Sequence, residues 1–198
     1  MAYNRFTLPE VESQFGLTIE RDTPLFPTPP LAVPSDFLRM TLERYLPLAL
    51  DMQTEKARSE FIIAPILMEV VEQKHRQVSL HSGVDFTVDR KLGLAGFCDF
   101  LFSRSPERTE VVAPVLAVVE AKREDIPSGI GQCLAELVAA QRFNEKQGKP
   151  LRFLYGCVTT GDRWRFLRLE DKHATVDVNE YPVEALEKIL GILLEMVS

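Results

Sequence analysis

The chain has few cysteines, no excess of positive charge and no long uncharged apolar run. Its 198 residues include three cysteines and three histidines. Cys98, Cys133 and Cys157 each lie in an apolar neighbourhood and none forms a CxxC pair, so we interpret them as reduced core residues. The histidines share no ligand spacing, and we therefore predict no zinc site.

Charge and hydropathy exclude two further classes of protein. The net charge of −6 argues against a surface coated in basic residues for nonspecific DNA binding, although it leaves room for a local basic groove. The sequence shows neither a secretory signal nor a charge-free apolar span long enough to cross a bilayer. We therefore expect a cytoplasmic protein with no membrane association.

The pattern of apolar residues predicts an α/β fold. A proline cluster over residues 24–30 cannot be helix or central strand, so we predict an extended, proline-rich arm over 1–35 and a single domain over 36–198. After a first helix, the order is helix, three strands, helix, two or three strands, helix, which is typical of a central mixed β-sheet flanked by helices. The predicted helices span about 36–50, 54–75 with an interruption at Pro65, 130–147 and 182–196. The predicted strands span about 84–88, 94–102, 115–122, 151–159, 163–169 and 175–178.

Charged residues interrupt two of these apolar strands. Glu120 and Lys122 end the third strand, and residues i and i+2 of a strand point to the same face. Asp99 is a lone acid in the second strand. Burial of such groups costs several kcal/mol, of the order of an unpaired buried charge, unless they pair with one another or with a metal.

The three charged residues allow two interpretations. Two carboxylates can bind Mg²⁺, and an adjacent lysine can orient or deprotonate a water that attacks a phosphodiester. The alternative is a buried ion pair that only closes the sheet. The residue types alone leave both open.

Three short motifs follow one another along the chain: Gly96-x-x-Asp99, Glu120-Ala121-Lys122 and a helix containing Gln132. Together with the order of elements, they resemble the PD-(D/E)XK nuclease superfamily, which has a restriction-endonuclease-like core. The resemblance covers about residues 54–170. It is greatest to the nuclease domains of Type I restriction subunits and to small bacterial, notably cyanobacterial, relatives.

The resemblance implies a metal-dependent nuclease that hydrolyses DNA. Asp99, Glu120 and the backbone carbonyl of Ala121 would bind Mg²⁺, or Mn²⁺ in its place, and Lys122 would be catalytic. Two positions depart from the family pattern. Cys98 stands where proline often precedes the acid, and Glu136 stands where a related Q-x-x-x-Y pattern has tyrosine.

Two further residues are assigned to the site on this basis. Gln132 would contact the scissile strand or Lys122, and the alternative is a solvated glutamine at a helix edge. Many members also use a glutamate of the first core helix. Glu60 is in line with the apolar positions 63, 64, 67 and 71, whereas Glu55 is explained as a first-turn acid, so we prefer Glu60. The alternative for Glu60 is a surface acid beside a kink.

Each candidate contact with a substrate or a partner has two interpretations. A noncatalytic module of the same fold could bind nucleic acid or a protein. Arg163 and Arg165 share a strand face and could contact phosphate or form a solvated face over buried aromatics. The final helix could form a core or a dimer seam, and a homodimer would suit a nuclease that cuts both strands. Further cations are expected to add positive charge near the site: Arg123, Arg142, Lys146, Lys149 and Arg152.

Overall fold

A computed structural model describes residues 2–105, 107 and 109–198 of the chain. The helices are α1 (Leu8–Phe15), α2 (Asp36–Met52), α3 (Glu55–Arg58), α4 (Ala64–Gln73), α5 (Ile126–Lys146) and α6 (Leu186–Met196). The strands are β1 (Thr18–Glu20), β2 (Ser79–Asp85), β3 (Phe97–Ser103), β4 (Val115–Ala121), β5 (Leu154–Thr159), β6 (Arg163–Glu170), β7 (His173–Val176) and β8 (Tyr181–Pro182). The predicted α/β class is confirmed.

The strands of the described residues form one mixed sheet in the order β1-β7-β6-β5-β4-β3-β2, with β8 paired to β6. The pairs β1–β7 and β4–β5 are parallel, and the other pairs are antiparallel. Phe100 of β3 lies opposite Val119 of β4, and Ala121 of β4 lies opposite Thr159 of β5. The carboxyl ends of β4 and β5 therefore meet at one edge of the sheet, beside the start of β3.

Two hydrophobic cores cover the two faces of the sheet. Val118 of β4 belongs to the core that α1 and α5 form, whereas Ala117 and Val119 belong to the core under α2, α4 and α6. Every residue of β4 is buried, as its continuous apolar run predicts. Ile189 and Leu193 of α6 are fully buried in the second core, so the final helix packs on its own sheet.

The N-terminal segment differs from the predicted extended arm. Residue 1 lies outside the described part, but α1 is helical and β1 pairs in parallel with β7. The start of α1 is a capping box, in which the Glu10 carboxylate accepts a hydrogen bond from the Thr7 backbone N–H at 2.8 Å. The longest stretch of this segment without helix or strand is the proline-rich residues 21–35, and they pack so closely on α6 that a Cβ at Gly191 would collide with the Pro30 carbonyl oxygen.

A π-helical turn joins α3 to α4. Residues Ser59–Ile63 form this turn, and the Ala64 N–H bonds to the Ser59 carbonyl five residues earlier. The wide turn accommodates Pro65, which has no N–H to donate, so the predicted interruption is a change of helix type and the chain stays helical. The extra residue also shifts the helical register. Glu60 is therefore exposed, although Ile63 and Leu67 of its predicted stripe are fully buried.

Cys98, Cys133 and Cys157 are free and buried, as predicted. None of the helices in the described residues is both long enough and apolar enough to span a membrane.

Candidate active site

The charged residues predicted from the strands meet at the carboxyl end of β4. Asp99 accepts a hydrogen bond through Oδ2 from the backbone N–H of Ala121 at 2.9 Å. The Lys122 ammonium donates to Oε1 of Glu120 at 2.5 Å. The register of β3 and β4 explains the proximity of Asp99, because the pair after Phe100 and Val119 is Asp99 and Glu120. The predicted juxtaposition is therefore present.

Glu120 is the electrostatic centre of this group. Its side chain is only 2% exposed, and its Oε2 has no hydrogen-bond partner among the described residues. Burial and then the nearby charge of Asp99 raise the pKa of Glu120 to about 8, against the opposing effect of Lys122. An unsatisfied buried carboxylate oxygen beside a second carboxylate is a costly arrangement that an added cation would relieve.

Lys122 is held from two sides. Burial acts to lower the pKa of Lys122, but the carboxylate of Glu120 outweighs this effect and the net pKa lies above the ordinary value. The ammonium is therefore protonated at neutral pH. Besides Glu120, it donates to Oε1 of Gln132 at 3.1 Å. Its stem lies against α5 at Gly129, where an added Cβ would be 3.1 Å from the Lys122 Cε.

Gln132 connects the lysine to a second buried acid. It is buried, which rules out a solvated glutamine, and its Nε2 donates to Oε1 of Glu136 at 3.1 Å. Glu136 is fully buried and its Oε2 has no partner in the described part of the chain. Burial and the charge of Glu120 hold the pKa of Glu136 well above its usual range. Glu136 fixes the direction of the Gln132 amide, because the amide nitrogen faces Glu136 and the oxygen faces Lys122.

The sequence interpretation left Glu136 outside the site. It treated this residue only as a replacement for the tyrosine of the related pattern. A signal was present, because Glu136 is an acid one helical turn after Gln132 and borders the apolar residues Cys133 and Leu137. A fully buried acid at that position needs a polar neighbour, and Gln132 supplies it.

An open cleft of about 280 Å³ lies beside Asp99 and Ala121, and both candidate helical acids line it. Glu60 has a half-exposed side chain and pairs with Lys56 at 2.7 Å. Glu55 contributes to the raised pKa of Glu120, so its charge reaches the centre of the site. The preference for Glu60 rested on an unbroken α-helix, and the π-turn moves this residue off the buried stripe to the cleft wall.

The oxygen atoms at this end of the sheet determine which metal ion could bind there. Within residues 2–105, 107 and 109–198, no group of three or more His, Cys, Asp or Glu side chains is arranged to hold one. Mg²⁺ requires fewer protein side chains, because it keeps several water ligands and commonly uses one or two carboxylates. Asp99 and Glu120 meet this smaller requirement, and the free Oε2 of Glu120 is a donor atom without another partner. The residues present therefore fit Mg²⁺.

The two arginines of β6 are paired with an acid. Arg163 and Arg165 both face Glu180, with N–O distances of 3.6 and 3.8 Å, and Trp164 between them is fully buried. Their strand is thus an ion-paired face over a buried aromatic layer, although Arg163 also donates to the Glu124 carbonyl near the end of β4 at 3.3 Å. The expected cations on α5 are farther away, because Arg142 lies ten residues beyond Gln132, about 15 Å along the helix.

Two cations expected near the site lie at the opposite edge of the sheet. Lys149 donates to the carbonyl of Ala113, which precedes β4. Arg152, which precedes β5, pairs with Glu170 at the end of β6.

The chain has no match among protein-family models, curated proteins or solved structures. The arrangement at the end of β4 is therefore the basis on which a function can be assigned.

Proposed function

We propose that this chain is a Mg²⁺-dependent nuclease of the PD-(D/E)XK superfamily that hydrolyses DNA phosphodiester bonds. The observation that supports the proposal most strongly is the proximity of Asp99 to the hydrogen-bonded pair of Glu120 and Lys122, with the buried Oε2 of Glu120 unsatisfied. A group of this kind that borders an open cleft is more typical of a reaction site than of a closed core.

Asp99, Glu120 and the backbone carbonyl of Ala121 would hold the cation. When bound, the cation neutralises negative charge on the phosphate and lowers the pKa of a water ligand. The cleft beside Asp99 and Ala121 is open to solvent, so a phosphodiester can approach these residues from outside the sheet.

Lys122 acts as a charged hydrogen-bond donor. Its raised pKa keeps the ammonium protonated, so it orients the attacking water and stabilises charge on the phosphate; it does not serve as the base. Gln132 is a positioning residue, because its amide oxygen holds the ammonium from the α5 side. Glu136 acts one step further back by holding the Gln132 amide in that orientation.

Cleavage of DNA by the purified protein tests the proposal. We expect nicking of supercoiled DNA with Mg²⁺ or Mn²⁺, and a loss of about 100-fold or more in the Lys122→Ala variant. Lys188→Ala is the matched control, because Lys188 is also a lysine, is exposed and lies on α6 outside the cleft. Equal activity of Lys122→Ala and Lys188→Ala, with both proteins folded by circular dichroism, would contradict the assigned role.

Metal binding is tested separately by calorimetry with Mn²⁺. We expect the protein to bind Mn²⁺. Asp99→Asn should weaken this binding, and Glu124→Gln should leave it unchanged because Glu124 is exposed and lies outside the cleft.

A second candidate function is a noncatalytic module of the same fold that binds nucleic acid or a protein. It is favoured by the ion pair that Glu120 and Lys122 already form. DNA binding without Mn²⁺ binding or cleavage would support it.

A further inference from the structure

Helix α2 carries apolar residues on both of its faces. Leu38, Leu42 and Ala49 are buried in the core beneath it. The outward face also carries large apolar side chains, among them Phe37 at 79% exposure and Leu48 at 52%. A surface helix normally keeps its outer face polar, so this helix has a second apolar face, which no other part of the described chain covers.

The exposed apolar area is large enough for a stable interface. Leu31 and Val33, in the segment before α2, are exposed as well. The exposed set is Leu31, Val33, Phe37, Met40, Tyr45, Leu48 and Met52. Together these side chains expose roughly 800 Å², which is about the area that each partner contributes to a standard protein interface. We call this set the α2 surface.

The α2 surface is nearly symmetric along the helix. Its outward apolar residues lie about equally far on either side of a point between Arg44 and Tyr45. In an antiparallel pair of α2 helices centred there, Phe37 faces Met52 of the partner subunit, and Met40 faces Leu48 of the partner subunit. A two-fold interface requires such self-complementarity, because each patch must match itself.

We propose that a second copy of this chain covers the α2 surface and forms a two-fold dimer through antiparallel α2 helices. The interface does not depend on the proposed nuclease activity. It is built from residues outside the Asp99 cleft, and the mass of the protein in solution reports on it directly. The homodimer expected from the sequence is thereby given a location, on α2 and away from α6.

Analytical ultracentrifugation of the full chain tests the proposal. We expect a mass of twice the 22.5 kDa of one chain, and a dissociation constant at least about tenfold higher for Leu48→Glu. Val178→Glu is the matched control, because Val178 is similarly exposed, at 46%, but lies outside the α2 surface. A wild-type mass of 22.5 kDa at every concentration overturns the proposal, whether or not another protein or lipid vesicles bind the surface.

Cross-linking gives an independent measurement. Arg44→Cys places a thiol near the proposed axis, and mild oxidation should join two chains there. Arg142→Cys on the exposed part of α5 is the control, and the native cysteines are all buried and do not compete. Equal yields of linked dimer from Arg44→Cys and Arg142→Cys would contradict the proposal.

Discussion

Replacement of Gly129 by alanine has two opposing effects on the stability of the protein. Alanine in a helix interior is favoured over glycine by about 1 kcal/mol. The new methyl group, however, would be 2.6 Å from Cγ1 of Val158 and 3.2 Å from Cγ of Lys122. The first distance is far below a normal van der Waals contact, and overpacking of this kind costs about 1–3 kcal/mol. We therefore expect Gly129→Ala to lower the free energy of unfolding by about 1 kcal/mol.

Thermal unfolding measures this change. For a chain of this length the melting temperature should fall by about 2–4 °C. Ser128→Ala is the control, because Ser128 is the preceding residue and is exposed, so its change should stay within about 0.5 kcal/mol. A higher melting temperature for Gly129→Ala would refute the reasoning, because the helix preference would then have acted without a packing cost.

A double variant tests the cause of the loss. Val158→Ala removes the Cγ1 atom that the new methyl group meets, and alone it should cost about 2 kcal/mol because Val158 is fully buried. In Gly129→Ala/Val158→Ala the added methyl group occupies the vacated space. The two changes should therefore couple favourably by about 1 kcal/mol, and simple additivity would contradict the contact. The cleavage rate of Gly129→Ala should also fall about tenfold or more, because the stem of Lys122 must move.

Three further variants address other buried groups. With chelator present, Glu136→Gln should stabilise the protein, and the gain should be larger at about pH 8 than at about pH 5. The reason is that the pKa of Glu136 is higher in the folded than in the unfolded protein, so the stability of the wild type falls as the pH rises, whereas glutamine does not titrate. A pH-independent difference in urea unfolding would disagree. Burial lowers the pKa of His81, so the wild type should lose more stability than His81→Gln as the pH falls below about 6.5, and parallel melting curves would disagree. Gly191→Ala should cost roughly 2 kcal/mol or more despite better helix propensity, because the new methyl group meets the backbone of Pro30; an unchanged melting temperature would exclude that contact.

Local rules were sufficient to predict the centre of the candidate site. Glu120 and Lys122 share a strand face, and this follows from the two-residue period of a strand whatever the rest of the fold. Asp99 could be added because an acid in an apolar strand needs a partner. The capping box of Thr7 and Glu10 was also readable in the sequence, and it would have predicted α1 in place of an extended arm.

The remaining parts of the site depend on information that no short segment contains. The position of Glu60 depends on whether the turn before Pro65 is α or π, because one extra residue rotates all preceding side chains by about 100°. The separation of Lys149 and Arg152 from the cleft depends on the direction of β5, which is set by its parallel pairing with β4. The role of Glu136 required the distance between a helix and a strand.

The π-turn at Ser59–Ile63 joins two helices that pack differently. On one side α4 buries Ile66 and Leu67 in the core, and on the other side α3 presents Glu55 to the cleft. Deletion of one residue from the turn would rotate α3 by about 100° relative to α4, so the acids facing Asp99 would change and the buried Ala57 of α3 would turn out of the core with them. The length of this turn therefore sets both the charge of the cleft and the packing of α3.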